Sequence, residues 1–197
     1  IRYAYVVSGW PSGQPYPEWL KIEFLSVEGT NATVHVTMHM SDGTEQNDTV
    51  PITIGGEGQA LGLSGFVIPV NLTVGDSVYI SGYGNVTIEG ETAGTYAGAS
   101  RTVVYASFSQ YGTQLTYYWD KQTGVMVEAS SSYSGITSTA KATETNMWQA
   151  ETTYTGQTIY IRSDGTIDPS DAPVQRIGDV YTLTNDITCS ADGIVIE

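Results

Sequence analysis

Cysteine is almost missing. Cys189 is the only one in 197 residues, so no intrachain disulfide can form and the folded state must rest on packing. Cations are scarce as well: Lys and Arg total 7 against 21 Asp and Glu, a formal net charge of -14. Such a surface repels phosphate backbones and anionic bilayers, which excludes nucleic acid as a partner. No run of about 20 apolar residues occurs, so no helical membrane span is expected. No window combines helix formers with apolar residues at i, i+3, i+4 and i+7, which excludes helices beyond a turn or two.

What is present belongs to strands and turns. The chain has 22 Gly and 14 Tyr, and only 14% of its residues are charged, a profile of strand formers separated by turn formers. Residues 33–40 alternate strictly, with Val34, Val36, Met38 and Met40 on one side and Thr33, His35, Thr37 and His39 on the other. Apolar strands are also expected at 2–7, 18–27, 50–54, 66–70, 77–81 and 85–89, with a glycine-rich loop over 55–65. From 101 to 148 a meander is expected, with strands at 102–108, 113–119, 125–129 and 136–145 and Gly-terminated loops of three to five residues between them. The apolar faces need cover, so the fold is expected to be all-β: an antiparallel β-sandwich or strongly curled sheet with a hairpin meander, then a short C-terminal β extension.

Four of the six asparagines stand in Asn-x-Thr triplets: Asn31, Asn47, Asn71 and Asn85. With Ser and Thr at roughly a fifth of the residues, about one triplet is expected by chance. The excess marks the four as N-glycosylation acceptors and places the chain extracellularly, with N-linked glycans on the first ninety residues. Beginning at Ile1 without a leader, the chain is expected to be a processed segment of a longer precursor.

Composition divides the chain into a glycosylated antiparallel domain over 1–148, a polar linker over 149–156 and a β extension over 157–197. Ile159-Tyr160-Ile161-Arg162-Ser163-Asp164-Gly165-Thr166-Ile167-Asp168-Pro169, continuing through residues 172–176 to Asp179-Val180-Tyr181-Thr182-Leu183-Thr184, resembles the start of a NosD-like right-handed parallel β-helix in archaeal surface proteins. Residues 96–101 and 117–125 resemble a module of archaeal exported proteins. The resemblance implies a cell-surface location and no activity.

The residues offer little chemistry. His35 and His39, four apart on one strand, stand about 13 Å apart and cannot share a metal. Met38 and Met40 face the other side of that strand, which removes a copper site. No Gly-x-Ser-x-Gly elbow occurs. Asp164, Asp168 and Asp171 are weak Ca²⁺ candidates, with turn capping as the competing explanation, and Ca²⁺ is the one cofactor the residues leave open. Trp10, Tyr118 and Tyr133 are candidate stacking aromatics for a sugar.

A non-enzymatic structural protein is therefore expected, a subunit of a surface filament, sheath or lattice assembling with copies of itself by strand addition. Arg2, Tyr3, Ala4, Tyr5, Val6 and Val7 form the first donor-strand candidate, and the apolar strand over 194–197 is the second. The alternatives are an adhesion module binding carbohydrate or neighbouring surface proteins, and a secreted hydrolase with a carboxylate pair.

Overall fold

In a computed structural model, residues 1–54, 63, 65–148, 154–156, 158–184, 187–189 and 192–197 are described, and among them there is no helix. The chain divides into two compact units, Ile1–Gln149 and Ala150–Glu197.

The first unit carries β1 (Arg2–Ser8), β2 (Pro17–Glu28), β3 (Asn31–Met40), β4 (Glu45–Thr53), β5 (Ser77–Ile80), β6 (Gly84–Thr87), β7 (Gly90–Tyr96), β8 (Ala99–Gln110), β9 (Thr113–Asp120), β10 (Met126–Tyr133) and β11 (Ile136–Glu144). Nine of them form one antiparallel sheet in the order β4-β3-β2-β1-β11-β10-β9-β8-β7, and β5 and β6 pair as a separate hairpin. The sheet curls strongly. The edge strand β7 ends against β11, four places away, where the Ala97 N–H donates to the Ala142 carbonyl (3.1 Å) and the Lys141 ammonium sits over the Tyr96 ring.

Two apolar clusters follow from the alternation of side chains along the strands. Tyr3, Ile22, Val34, Ile52, Phe66 and Val127 belong to the larger one. The second lies around the β5–β6 hairpin, where Val78, Ile80 and Val86 meet Val104 and Trp119. Val103 belongs to the first cluster and Val104 to the second, so this part of the sheet is covered on both faces. The Trp119 indole N–H donates to the Gly65 carbonyl at 2.6 Å.

Several expectations need correction. Residues 66–70 form no strand: Phe66, Val67 and Ile68 are buried in irregular backbone held by a bridge between Val67 and Val125. Most of the loop expected at 55–65 lies outside the described residues. Two meander loops are tighter than expected, with Tyr111-Gly112 and Ser134-Gly135 both at positive φ, the two-residue turn whose twist matches paired strands. β7 was not anticipated, because Gly90 and Gly94 interrupt the strand pattern there. In the fold the Tyr105 ring covers Gly90 and the Tyr96 ring covers Gly94, where any side chain would collide.

The second unit contains β12 (Tyr154–Gly156), β13 (Ile159–Ile161), β14 (Ile167–Asp168), β15 (Val174–Ile177), β16 (Val180–Leu183), β17 (Ile187–Cys189) and β18 (Ile194–Ile196). Of the expected linker over 149–156, residues 149–153 lie outside the described residues. Tyr154–Gly156 is not linker but strand, paired parallel with β17. β13 pairs parallel with β18, placing Ile159 beside Ile194, while β14 and the β15–β16 hairpin pair antiparallel.

Candidate functional site

β1 joins the two halves of the large sheet. It pairs with β11 from Arg2 to Ser8 but with β2 only from Arg2 to Ala4. It is therefore an interior strand of its own sheet, and Tyr3 is in the core with its hydroxyl donating to the Met126 carbonyl at 2.5 Å. This corrects the expectation that residues 2–7 form a free donor strand. Pairing on both sides satisfies backbone groups that a donor would offer to another molecule.

β2 continues past β1. Residues 23–28 pair with β3 on one side and with no described strand on the other. Ile22 exchanges backbone hydrogen bonds with Ile1, both at 2.8 Å, and by the antiparallel alternation the N–H and C=O of Phe24 are next to point into the vacant lane. A groove of about 700 Å³ lies between Ile22, Glu23 and Phe24 on β2 and Glu144 at the end of β11 with residues 145–147 after it. Val27 lies beyond this groove. Phe24 lies opposite Val34 and Val27 opposite Ala32, so these pairs share a face. Val34 and Ala32 are buried, whereas Phe24 is 38% and Val27 61% exposed.

The charges around this opening are balanced. Arg2 pairs with Glu144 at 3.2 Å, and Lys21 with Glu23 at 2.7 Å. The Lys21 hydrogen bond holds the Glu23 carboxyl below its ordinary pKa, the reverse of what a general acid requires. Beside it runs a cross-strand stack. The Arg2 guanidinium lies over the Trp19 ring, Trp19 stacks on His39 with ring centres 5.0 Å apart, and His39 lies between Glu18 and Glu45 at 3.7 and 3.4 Å. His35 instead faces Thr49 at 3.1 Å, so the two imidazoles serve separate contacts.

The formal edges of the sheet differ from the lane. β4 carries Glu45, Asp48 and Pro51, all features that hinder pairing with another strand. The side chains of Asn31, Asn47, Asn71 and Asn85 are all exposed. Asn31 and Asn47 share the outer face of β3 and β4, because Asn31 pairs with Thr53 and Asn47 with Thr37. Asn47 therefore sits within a strand instead of at a hairpin end. Asn71 is in a turn at φ 58°, and Asn85 is on β6 opposite Tyr79.

The Ca²⁺ candidates do not converge. Asp164 caps its own turn by accepting from the Thr166 N–H (2.9 Å) and hydroxyl (2.7 Å), and Asp168 pairs with Arg162 at 2.7 Å. Among the described residues no group of three or more acids, histidines or cysteines is placed to hold a metal. Of the stacking candidates, Tyr118 is half-buried against the larger core and Tyr105. Trp10 and Tyr133 are exposed, as is Tyr111, which sequence reasoning passed over.

The chain matches no protein-family model, no curated protein and no solved structure. Geometry alone therefore carries the functional reading. The exposure of Phe24 and Val27 was missed in the sequence because both look like ordinary members of a buried strand.

Proposed function

We propose that this chain is an extracellular, N-glycosylated structural protein that assembles with copies of itself by strand addition, as a subunit of a surface filament, sheath or lattice. The four exposed Asn-x-Thr triplets, Asn31 and Asn47 together on the outer face of β3 and β4, are the observation that carries this reading. The negative charge keeps free copies soluble. The parallel pairs β12–β17 and β13–β18 fit the resemblance to the start of a β-helix in archaeal cell-surface proteins.

Negative-stain imaging and sedimentation of the purified native protein test this, with intact mass measured alongside. Polymers of repeating subunits with added glycan mass are the expected result. A monomer at every concentration would end the structural reading.

An adhesion module is the second reading, favoured by one cluster. Tyr111, Tyr133 and Trp10 share one end of the sheet: the Tyr133 ring lies beside Gly112, and Gly9 packs on the Gly135 carbonyl. Such exposed aromatics can stack on sugar faces. Binding on a glycan array that disappears with Tyr111→Ala and Tyr133→Ala would support it, and an array without hits would remove the sugar version.

A further inference from the structure

Asn71 differs from the other acceptors in where it stands. Asn31, Asn47 and Asn85 are on β3, β4 and β6. Asn71 lines a polar cavity of about 360 Å³, which it shares with Glu91 on β7, Ser100 and Arg101 on β8, and Lys121 and Gln122 in the loop after β9. Resting on the N-glycosylated reading, we propose that the first sugars of the glycan on Asn71 are seated in this cavity, a docking site for the chain's own carbohydrate.

The acceptor is fixed relative to the cavity. The Asn71 N–H donates to the Lys121 carbonyl at 2.8 Å and the Ile68 N–H to the Gly124 carbonyl at 2.9 Å, so the turn that carries Asn71 is tied to the loop that lines the cavity. The charges inside cancel. Lys121 pairs with Glu91, and Arg101 with Asp120, which suits a neutral ligand better than an ion. Ser100 and Gln122 are exposed there and supply a hydroxyl and an amide, groups that both donate and accept as sugar hydroxyls require. Arg101 Nη2 holds the Gln122 side chain through its Oε1 at 2.8 Å.

The size fits as well, since small-ligand sites run from about 300 to 1,000 Å³. Attachment at the rim adds to this. A tethered sugar meets the cavity at an effective concentration of roughly millimolar, so contacts too weak to capture a free sugar are enough to seat it.

Amine footprinting tests the seat. Protein from the native host, with the occupancy of each acceptor read by peptide mass, is acetylated with limiting N-hydroxysuccinimide acetate. Lys121 should react at least threefold more slowly than in Thr73→Ala protein, which loses the triplet but keeps Asn71 and the Thr73 N–H bond to Asp76. Lys21 and Lys141, outside the cavity, should react equally in both. Ser100→Ala with Gln122→Ala removes part of the seat and leaves the acceptor. In that background the rates with and without Thr73→Ala should converge, although the glycan mass on Asn71 is unchanged. A Lys121 rate that is the same with and without the glycan overturns the proposal. So does protection that persists in the Ser100→Ala, Gln122→Ala protein, the result for a glycan that only passes over the amine. Glycan on the other acceptors but not on Asn71 also overturns it and leaves the N-glycosylated reading intact; no glycan on any of the four removes both.

Discussion

Asp120 is the one buried charged side chain among the described residues, 1% exposed, and removing it should be severe. Its carboxylate accepts from Arg101 Nε at 2.8 Å and Nη2 at 3.1 Å, and from the Thr123 N–H at 2.8 Å and hydroxyl at 2.7 Å. Asp120→Ala deletes all four bonds. It leaves the Arg101 guanidinium, itself largely buried, with Gln122 at 2.8 Å and the Trp148 ring. Breaking one partner of a buried pair costs about 3–5 kcal/mol, or roughly 6–20 °C in melting temperature at about 2–4 °C per kcal/mol for a protein of this size. Arg101→Met with Asp120→Leu should recover much of that loss, because no uncompensated charge remains. Urea unfolding followed by tryptophan fluorescence reads all three proteins, since Trp119 is buried next to the site. A second check is pH. Burial raises the Asp120 carboxyl pKa, but the Arg101 and Thr123 hydrogen bonds outweigh it, and the net direction is down. A lowered folded value contributes stability above the unfolded value of about 3.9 that is lost as pH falls further. Asp120→Asn should therefore flatten the acid limb below about pH 4. A cost under about 1 kcal/mol for Asp120→Ala would refute the reasoning.

Burial pushes up the hydroxyl pKa of Tyr3 and Tyr96, and that of Tyr117 to about 12. Folded values above the unfolded value of about 10 mean stability is intact below pH 10 and declines above it; melting curves from pH 9 to 12 should show the decline, reduced in Tyr3→Phe. Gly124→Ala should cost more than Gly135→Ala: both have positive φ, but a Cβ at 124 would strike the Ile68 carbonyl while one at 135 meets open space. Comparative melts decide that. Each of Asn31→Gln, Asn47→Gln, Asn71→Gln and Asn85→Gln should remove one glycan's mass from protein made in its native host. Only Asn71→Gln should also lose up to about 1 kcal/mol, because it is the acceptor in the left-handed region that Asn tolerates and Gln does not.

Local pattern was enough for most strands. The alternation over 33–40, the Gly-closed turns of the meander and the lack of helix periodicity determine an all-β chain, because side-chain direction along a strand depends only on neighbouring residues. The four Asn-x-Thr triplets are likewise legible from neighbouring residues alone. Tertiary structure decided the rest. β7 exists because tyrosines two and fifteen residues away in sequence cover its glycines. Tyr154–Gly156 is a strand because β17, over thirty residues later, lies beside it. β1 became an interior strand because β11 came to its other edge from the far end of the unit. Phe24 is apolar in any arrangement, but its stacking on Phe66, forty-two residues later, depends on contacts between segments far apart in the chain, which local pattern cannot encode.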